Sequence, residues 1–226
     1  SKFFRMHAAL TPDIVEQGLE VGFALADELS ENGYQTIAIG TVGERSLLSA
    51  LAVTAAITGY PMAELLTENN CTLSIQEKAK QLTASLAEHQ LPSQDGVHVL
   101  ATVGSPDVVV LTGLILGAAS HRMAVVFDTA ETGAAVLAAK CINEAVMDYV
   151  FPSVHTGEPV QAAQMKYLGI KPHLFYGFEM DEALGSTMGL SVLDAGMHML
   201  NDMKTFGEAS VNVAVDGPGS ERQDGR

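Results

Sequence analysis

Apolar runs separated by polar, glycine- or proline-marked breaks divide this chain into short strands and longer helices. Thr11, Pro12 and Asp13 make a helix start: a capping hydroxyl, a proline in the first turn, then an acid at the positive end of the dipole. The pattern predicts a helix from there to about Glu31, stopped by Asn32 and Gly33. "QTIAIG" (35–40) reads as a short buried strand, and Ser46 opens a helix over 46–56 that Gly59 and Pro61 close. Ser74 with Glu77 forms a capping box for a more polar helix ending near His89. "AVVFD" (124–128) is strand-like, 132–147 helical, and "DYVF" (148–151) strand-like again. A helix over 159–168 stops at Gly169, "HLFYGF" (173–178) reads as a last strand, and 185–203 reads as a long final helix with Leu193, Met197 and Leu200 on one face.

Strands alternating with helices at this spacing predict an α/β fold. The expected form is a doubly wound, mostly parallel, Rossmann-like sheet with helices on both faces and a long C-terminal helix. A single domain over 1–213 is expected, with the polar, glycine-rich 214–226 as a flexible tail. The 226 residues are 47% apolar, enough for one sizeable core.

Charge narrows the partners. With 27 acidic against 12 basic residues the net charge is −15, which repels a nucleic-acid backbone but leaves room for one phosphate held by backbone amides. No run reaches the ~20 apolar residues of a membrane helix, the longest being 108–119, and "SKFFRMHAAL" lacks the form of a secretion leader. Cys71 and Cys141, seventy positions apart, make no metal or redox motif. The expectation is a cytoplasmic protein with reduced thiols, no metal and no cofactor.

In parallel sheets ligands sit beyond the carboxyl ends of the strands. Four polar or glycine-rich loops fall there, each before a predicted helix: "GTVGERS" (40–46), "DTAETG" (128–133), "PSVHTGEP" (152–159) and "EMDEALGST" (179–187). Helix starts offer free amides and a positive dipole end to phosphate or carboxylate. Gly40 and Gly43 permit close backbone approach, and Ser46 could cap its helix or touch a phosphate; the stretch is neither a P-loop nor GxGxxG. Asp128 ends a strand where catalytic acids sit, though an aspartate there also caps the following turn. Ser153, His155, Thr156 and Glu158 bring hydroxyls, an imidazole and a carboxylate within six positions, as ligand contacts or as caps. His155 has no histidine or cysteine at ligand spacing. Asp181 and Glu182 precede the last helix, which Gly185 and Ser186 begin, and Met188, Met197, Met199 and Met203 on it read as core. Residue chemistry alone reaches a small-molecule site on an α/β sheet and no named reaction.

Four blocks in order resemble one family. "IAIGTVGERSLLSALAVTAAITG", "LTGLILGAASHRMAVVFDTAETGAAVLAA", "VFPSVHTGEPVQAAQMKYLGIKP" and "LGSTMGLSVLDAGMHMLNDMKTFGEASV" look like consecutive blocks of nicotinate-nucleotide:dimethylbenzimidazole phosphoribosyltransferases, over about 11–213. The resemblance implies a doubly wound α/β dimer that prepares the lower ligand of cobalamin. A nitrogen of an aromatic base attacks the anomeric carbon of nicotinate mononucleotide, nicotinate leaves, and a glutamate takes the proton. Where the family reads Gly-Glu-x-Gly-x-x-Asn-Thr-Thr, this chain has Thr41 for the glutamate, Ser46 for the asparagine, and Leu47 and Leu48 for the threonines. Where it reads Arg-Leu-Gly-Glu-Gly-(Ser/Thr)-Gly, the glutamate falls on Leu184. The acid of Asp-Gly-Phe is kept as Asp128, and Ser-His-x-Ser-x-Glu keeps its ends as Ser153 and Glu158 with Val154 in place of its histidine. Nothing here corresponds to the family's N-terminal region, which helps wall the base pocket. Two readings remain open: an active transferase with Glu182 or Glu44 as base, or a non-catalytic member. The latter would be a partner subunit of a full-length homologue or a mononucleotide-binding remnant.

Overall fold

The computed structural model describes residues 9–42, 46–66, 73–89, 91–176 and 183–210. They form α1 (Pro12–Glu31), β1 (Thr36–Ala38), α2 (Ser46–Thr58), α3 (Leu73–Glu88), α4 (Gly96–Val103), α5 (Pro106–Ser120), β2 (Ala124–Phe127), α6 (Ala130–Ile142), β3 (Val150–Pro152), α7 (Pro159–Leu168) and α8 (Leu184–Asp202). Short 3-10 turns lie at Met62–Glu64 and Glu144–Asp148. The chain divides into two compact units, Ser1–Ser191 and Val192–Arg226.

The first unit holds the sheet, in which β1, β2 and β3 lie side by side in that order, all parallel. Ile37 pairs with Val125 and Val125 with Val150, so the central strand is β2. Alternation along β2 decides which helix covers which face. Val125 and Phe127 enter the main core with residues of α2, α4, α5 and α6. Val126 points the other way, where the bare Cα of Gly189 in α8 lies so close that an added Cβ would stand 2.7 Å from Val126 Cγ1. The predicted α/β class, the parallel sheet, the helices on both faces and the long final helix are all present.

Local chemistry explains the element ends. Thr11 caps α1 by accepting from the Ile14 amide, as its sequence predicts. α6 begins at Ala130 rather than at 132, because Thr129 and Thr132 cap it reciprocally. It stops at Ile142: the Asn143 side chain accepts from the Ala145 amide and opens the 3-10 turn, so 143–147 are not continuous helix. The expected strand "HLFYGF" reduces, within its described part, to one parallel bridge between Leu174 and Val154. Its amides at His173 and Leu174 both turn to the Ser153 carbonyl, which leaves no regular ladder.

The largest omission of the sequence pattern is the pair α4 and α5. α5 is apolar nearly all round and packs on α1 through glycines. A Cβ on Gly22 would lie 2.0 Å from the Val110 carbonyl oxygen, and one on Gly113 would lie 2.2 Å from that of Leu19. Among the described residues no helix is long and apolar enough to cross a membrane.

Candidate functional site

Parallel crossovers put the carboxyl ends of the strands and the starts of the helices that follow them on one edge. Beyond β1 lie Ile39 and Gly40, beyond β2 Asp128, beyond β3 Ser153 to Glu158; the first turn of α8 meets all three. Asp128 is buried at 2% exposure. Its Oδ1 accepts from the Thr129 amide at 2.8 Å and its Oδ2 from the Ser186 amide at 3.0 Å. Burial pushes its pKa up, against the downward pull of the Ser186 and Thr129 amides. Ser186, fully buried, donates its hydroxyl to the Ile39 carbonyl at 2.8 Å. One aspartate and one serine thus tie the start of α8 to β1 and β2.

Three glycines make the contact close enough. A Cβ on Gly40 would stand 2.3 Å from that of Ala183, which itself holds a left-handed φ of 68°. A Cβ on Gly185 would come within 2.9 Å of Val154 and 3.0 Å of Asp128, and one on Gly189 within 2.5 Å of Ser153. Ser153 donates its own hydroxyl to the Phe127 carbonyl at 3.1 Å. Gly40, Asp128, Ser153, Gly185 and Ser186 are therefore brought together, with the Asp128 carboxylate on the Ser186 amide and the Ser153 and Ser186 hydroxyls on the Phe127 and Ile39 carbonyls. The Asp128 carboxylate occupies the position at the α8 terminus that an external anion would take.

The rest of the predicted set is arranged differently. His155 and Glu158 lie on the β3–α7 loop, where the His155 amide donates to the Leu174 carbonyl at 2.9 Å. The His155 ring stacks on Phe175, centroids 5.3 Å apart and planes 26° from parallel, and Phe175 is 74% exposed. Glu158 is the N-cap residue of α7, and its carboxylate accepts from the Thr156 hydroxyl at 3.5 Å. Ser46 is the first residue of α2. Gly43, Glu44 and Glu182 lie outside the described residues. Thr41 is half-buried and Leu184, at the head of α8, is 47% exposed. Among the described residues no group of three or more histidine, cysteine or acidic side chains is placed to hold a metal.

Sequence reasoning missed three residues of this edge. Gln161 is buried and donates to the carbonyls of Asp128 at 2.7 Å and Val154 at 2.8 Å, while its oxygen accepts from the Thr156 amide at 2.9 Å. It joins the ends of β2 and β3. Gln164 donates to the Ala130 carbonyl at 2.7 Å and to the Thr54 hydroxyl at 2.9 Å, tying α7 to α6 and α2. Their signal is two amides three apart on an apolar helix face. The third is Glu131, in the first turn of α6, whose pKa is raised chiefly by burial and further by Glu158 and Asp107, with the Thr129 hydroxyl opposing.

Glu131 makes a pH prediction. Its folded pKa lies above the ordinary ~4.3 of an unfolded glutamate, so the native state holds the proton more tightly. Its contribution to stability is complete below that unfolded value and is lost as pH rises through the raised one. Denaturant titrations should show Glu131→Gln losing less stability than wild type over that rise; an unchanged pH slope would refute the assignment.

Comparison with known proteins places this edge in context. A phosphoribosyltransferase family model matches residues 1–211. The nicotinate-nucleotide–dimethylbenzimidazole phosphoribosyltransferase of Chloroflexus aggregans is 34% identical over 211 residues, 92% of this chain and 60% of that protein. The Geobacter sulfurreducens protein of the same name is 30% identical, again over 92% of this chain and 60% of its own length. The crystal structure of the Thermus thermophilus enzyme superposes with a TM-score of 0.83 at 26% identity, covering 93% of this chain and 62% of that one. The chain thus spans about three-fifths of the length of these relatives. On the match over 1–211, the protein belongs to the nicotinate-nucleotide–dimethylbenzimidazole phosphoribosyltransferase family.

Proposed function

We propose that the protein serves the assembly of the cobamide lower ligand, holding nicotinate mononucleotide at the carboxyl edge of its sheet beside a benzimidazole-type base. The observation that carries this reading is the convergence of the family-like loops at Gly40, Asp128, Ser153, Gly185 and Ser186 on one edge. Ser46, His155 and Glu158 are the further substrate contacts in this reading, and Gly43 completes the first loop. The protein works as a homodimer or paired with a full-length homologue.

A second reading, non-catalytic for the isolated chain, has its own support. Leu184 and Thr41 stand where the family's glutamates fall, and both Asp128 carboxylate oxygens are engaged by backbone amides of Thr129 and Ser186. Without a positioned base, transfer loses about a hundred- to ten-thousandfold in rate. The expected result is measurable binding of nicotinate mononucleotide by calorimetry, with little or no product when dimethylbenzimidazole is added. Robust turnover abolished by Glu182→Gln or Glu44→Gln would overturn the non-catalytic reading and name the base. Absence of binding, with the fold intact, would overturn the ligand.

A further inference from the structure

A loop that merely caps a helix offers a side-chain oxygen to the free amides of the helix start. The loop before α7 does not: Glu158, the N-cap residue, makes no side-chain cap hydrogen bond. The order comes instead from inside the helix. Gln161 is the third residue of α7, where a glutamine ordinarily reaches back to the amide of the N-cap residue. That amide is already taken by the Thr156 hydroxyl at 3.4 Å. Gln161 passes it and accepts from the Thr156 amide, two residues earlier, at 2.9 Å. Its NH₂ donates to the carbonyls of Val154 at 2.8 Å and Asp128 at 2.7 Å, and the residue is 3% exposed.

These contacts bracket one residue. The Val154 carbonyl belongs to the peptide unit before His155, and the Thr156 amide to the unit after it. Peptide units are planar, so holding the two on either side of a Cα restrains both of its dihedral angles. The unit before His155 is held from its other side as well, where the His155 amide donates to the Leu174 carbonyl at 2.9 Å. The bond to the Asp128 carbonyl ties the bracket to the end of β2. His155 itself is exposed, its ring stacked on that of Phe175. A buried amide thus sets the direction in which an exposed imidazole leaves the sheet edge. The position needs two N–H donors and one acceptor on a side chain of this length; ionised glutamate lacks the donors and methionine lacks all three.

We infer that Gln161 is a positioning residue for ligand binding: it aims His155 at the mononucleotide on the carboxyl edge and acts on the ligand through that residue. The inference rests on the reading above and deepens it by naming how one of the proposed contacts is held. A contact whose backbone is fixed beforehand loses less freedom on binding, and affinity rises accordingly. The same buried bonds also serve the fold, so aim and stability have to be separated by measurement.

The test is calorimetry with nicotinate mononucleotide on wild type, Gln161→Met, His155→Ala and the double variant, each checked for native circular dichroism. Gln161→Met and His155→Ala should each weaken binding about tenfold, and the double variant no further than either, because both remove the same contact. Thr112→Val removes a buried hydroxyl bonded to the Val108 and Ala135 carbonyls, at 2.7 and 3.4 Å, between α5 and α6. It should lose stability and keep wild-type affinity. Losses that multiply in the double variant overturn the inference. So does a Gln161→Met protein that binds like wild type, or a Thr112→Val protein that loses as much affinity. Hydrogen exchange needs no variant: the half-buried Thr156 amide of wild type should exchange at least about a hundredfold more slowly than that of the exposed Gly157 beside it. Equal rates overturn the inference even where Gln161→Met does not fold. Wild type that binds no mononucleotide overturns the proposed function and this contact with it, whereas wild-type binding with multiplied losses overturns the inference alone.

Discussion

Replacing Gly22 by alanine should lower the stability of the fold by about 3 kcal/mol, at the upper end of the ordinary range for overpacking. The added Cβ would lie 2.0 Å from the Val110 oxygen, 2.5 Å from the Leu114 nitrogen and 2.9 Å from the Gly113 carbonyl carbon. All three are backbone atoms of α5, so no side chain can turn aside, and α1 as a whole must move away. α1 buries only Val15, Gly22 and Ala26, and displacement loosens all three. Alanine is the better helix former by about 1 kcal/mol, so any loss has to come from the contact between the helices. Gly113→Ala, facing the Leu19 oxygen at 2.2 Å, should behave alike. Gly18→Ala should be milder, since its nearest neighbour is the end of the Val109 side chain at 2.7 Å. At roughly 2–4 °C per kcal/mol for a chain of this size, thermal melts separate these outcomes. A Gly22→Ala protein melting with wild type would refute the close crossing of α1 and α5.

The same glycines show where the sequence is legible and where it falls silent. Thr11, Pro12 and Asp13 announce α1 because capping is local chemistry, and the apolar cores of "QTIAIG" and "AVVFD" announce strands because both are bounded by polar residues or turn signals. α5 escapes: Val108 to Ala119 lacks a polar face, so its periodicity carries no signal, and only Ser105, Pro106 and Asp107 mark its start. "HLFYGF" is apolar enough for a strand, yet pairing depends on a partner the pattern cannot name. At the site, the described parts of the four loops, with Gly40, Asp128, Ser153 and Gly185, fall on the edge where strand-to-helix order puts them. What each polar group binds is another matter, because Asp128 and Ser186 are 58 positions apart and Ser186 and Ile39 147 apart. Gly40 and Gly185 read as places for a phosphate to approach. In the folded chain the same lack of a Cβ also admits Ala183 and Asp128.

Asp128→Ala should be the most damaging change at the sheet edge, lowering stability by about 2–4 kcal/mol. The amides of Thr129 and Ser186 lose their acceptor, and a buried N–H left unpaired costs about 1–3 kcal/mol. The loss falls short of the sum because the carboxylate is itself penalised by burial, which raises its pKa. Asparagine keeps one oxygen for one amide but turns an NH₂ towards the other, so Asp128→Asn should lie between alanine and wild type. The pH dependence identifies the cause. A carboxyl whose folded pKa is raised stabilises the native state fully below the unfolded value near ~3.9. That stabilisation is lost as pH rises through the folded value, because the native state then gives up a proton it had held more tightly. Asparagine does not titrate, so the gap between wild type and Asp128→Asn should narrow from pH ~4 upward. A gap that widens would mean that the two amides outweigh burial and that the carboxyl is depressed. In Asp128→Ala the freed α8 terminus faces an empty anion position, and inorganic phosphate should stabilise that variant more than wild type. Equal stabilisation of both would show that the wild-type carboxylate does not occupy the anion's place.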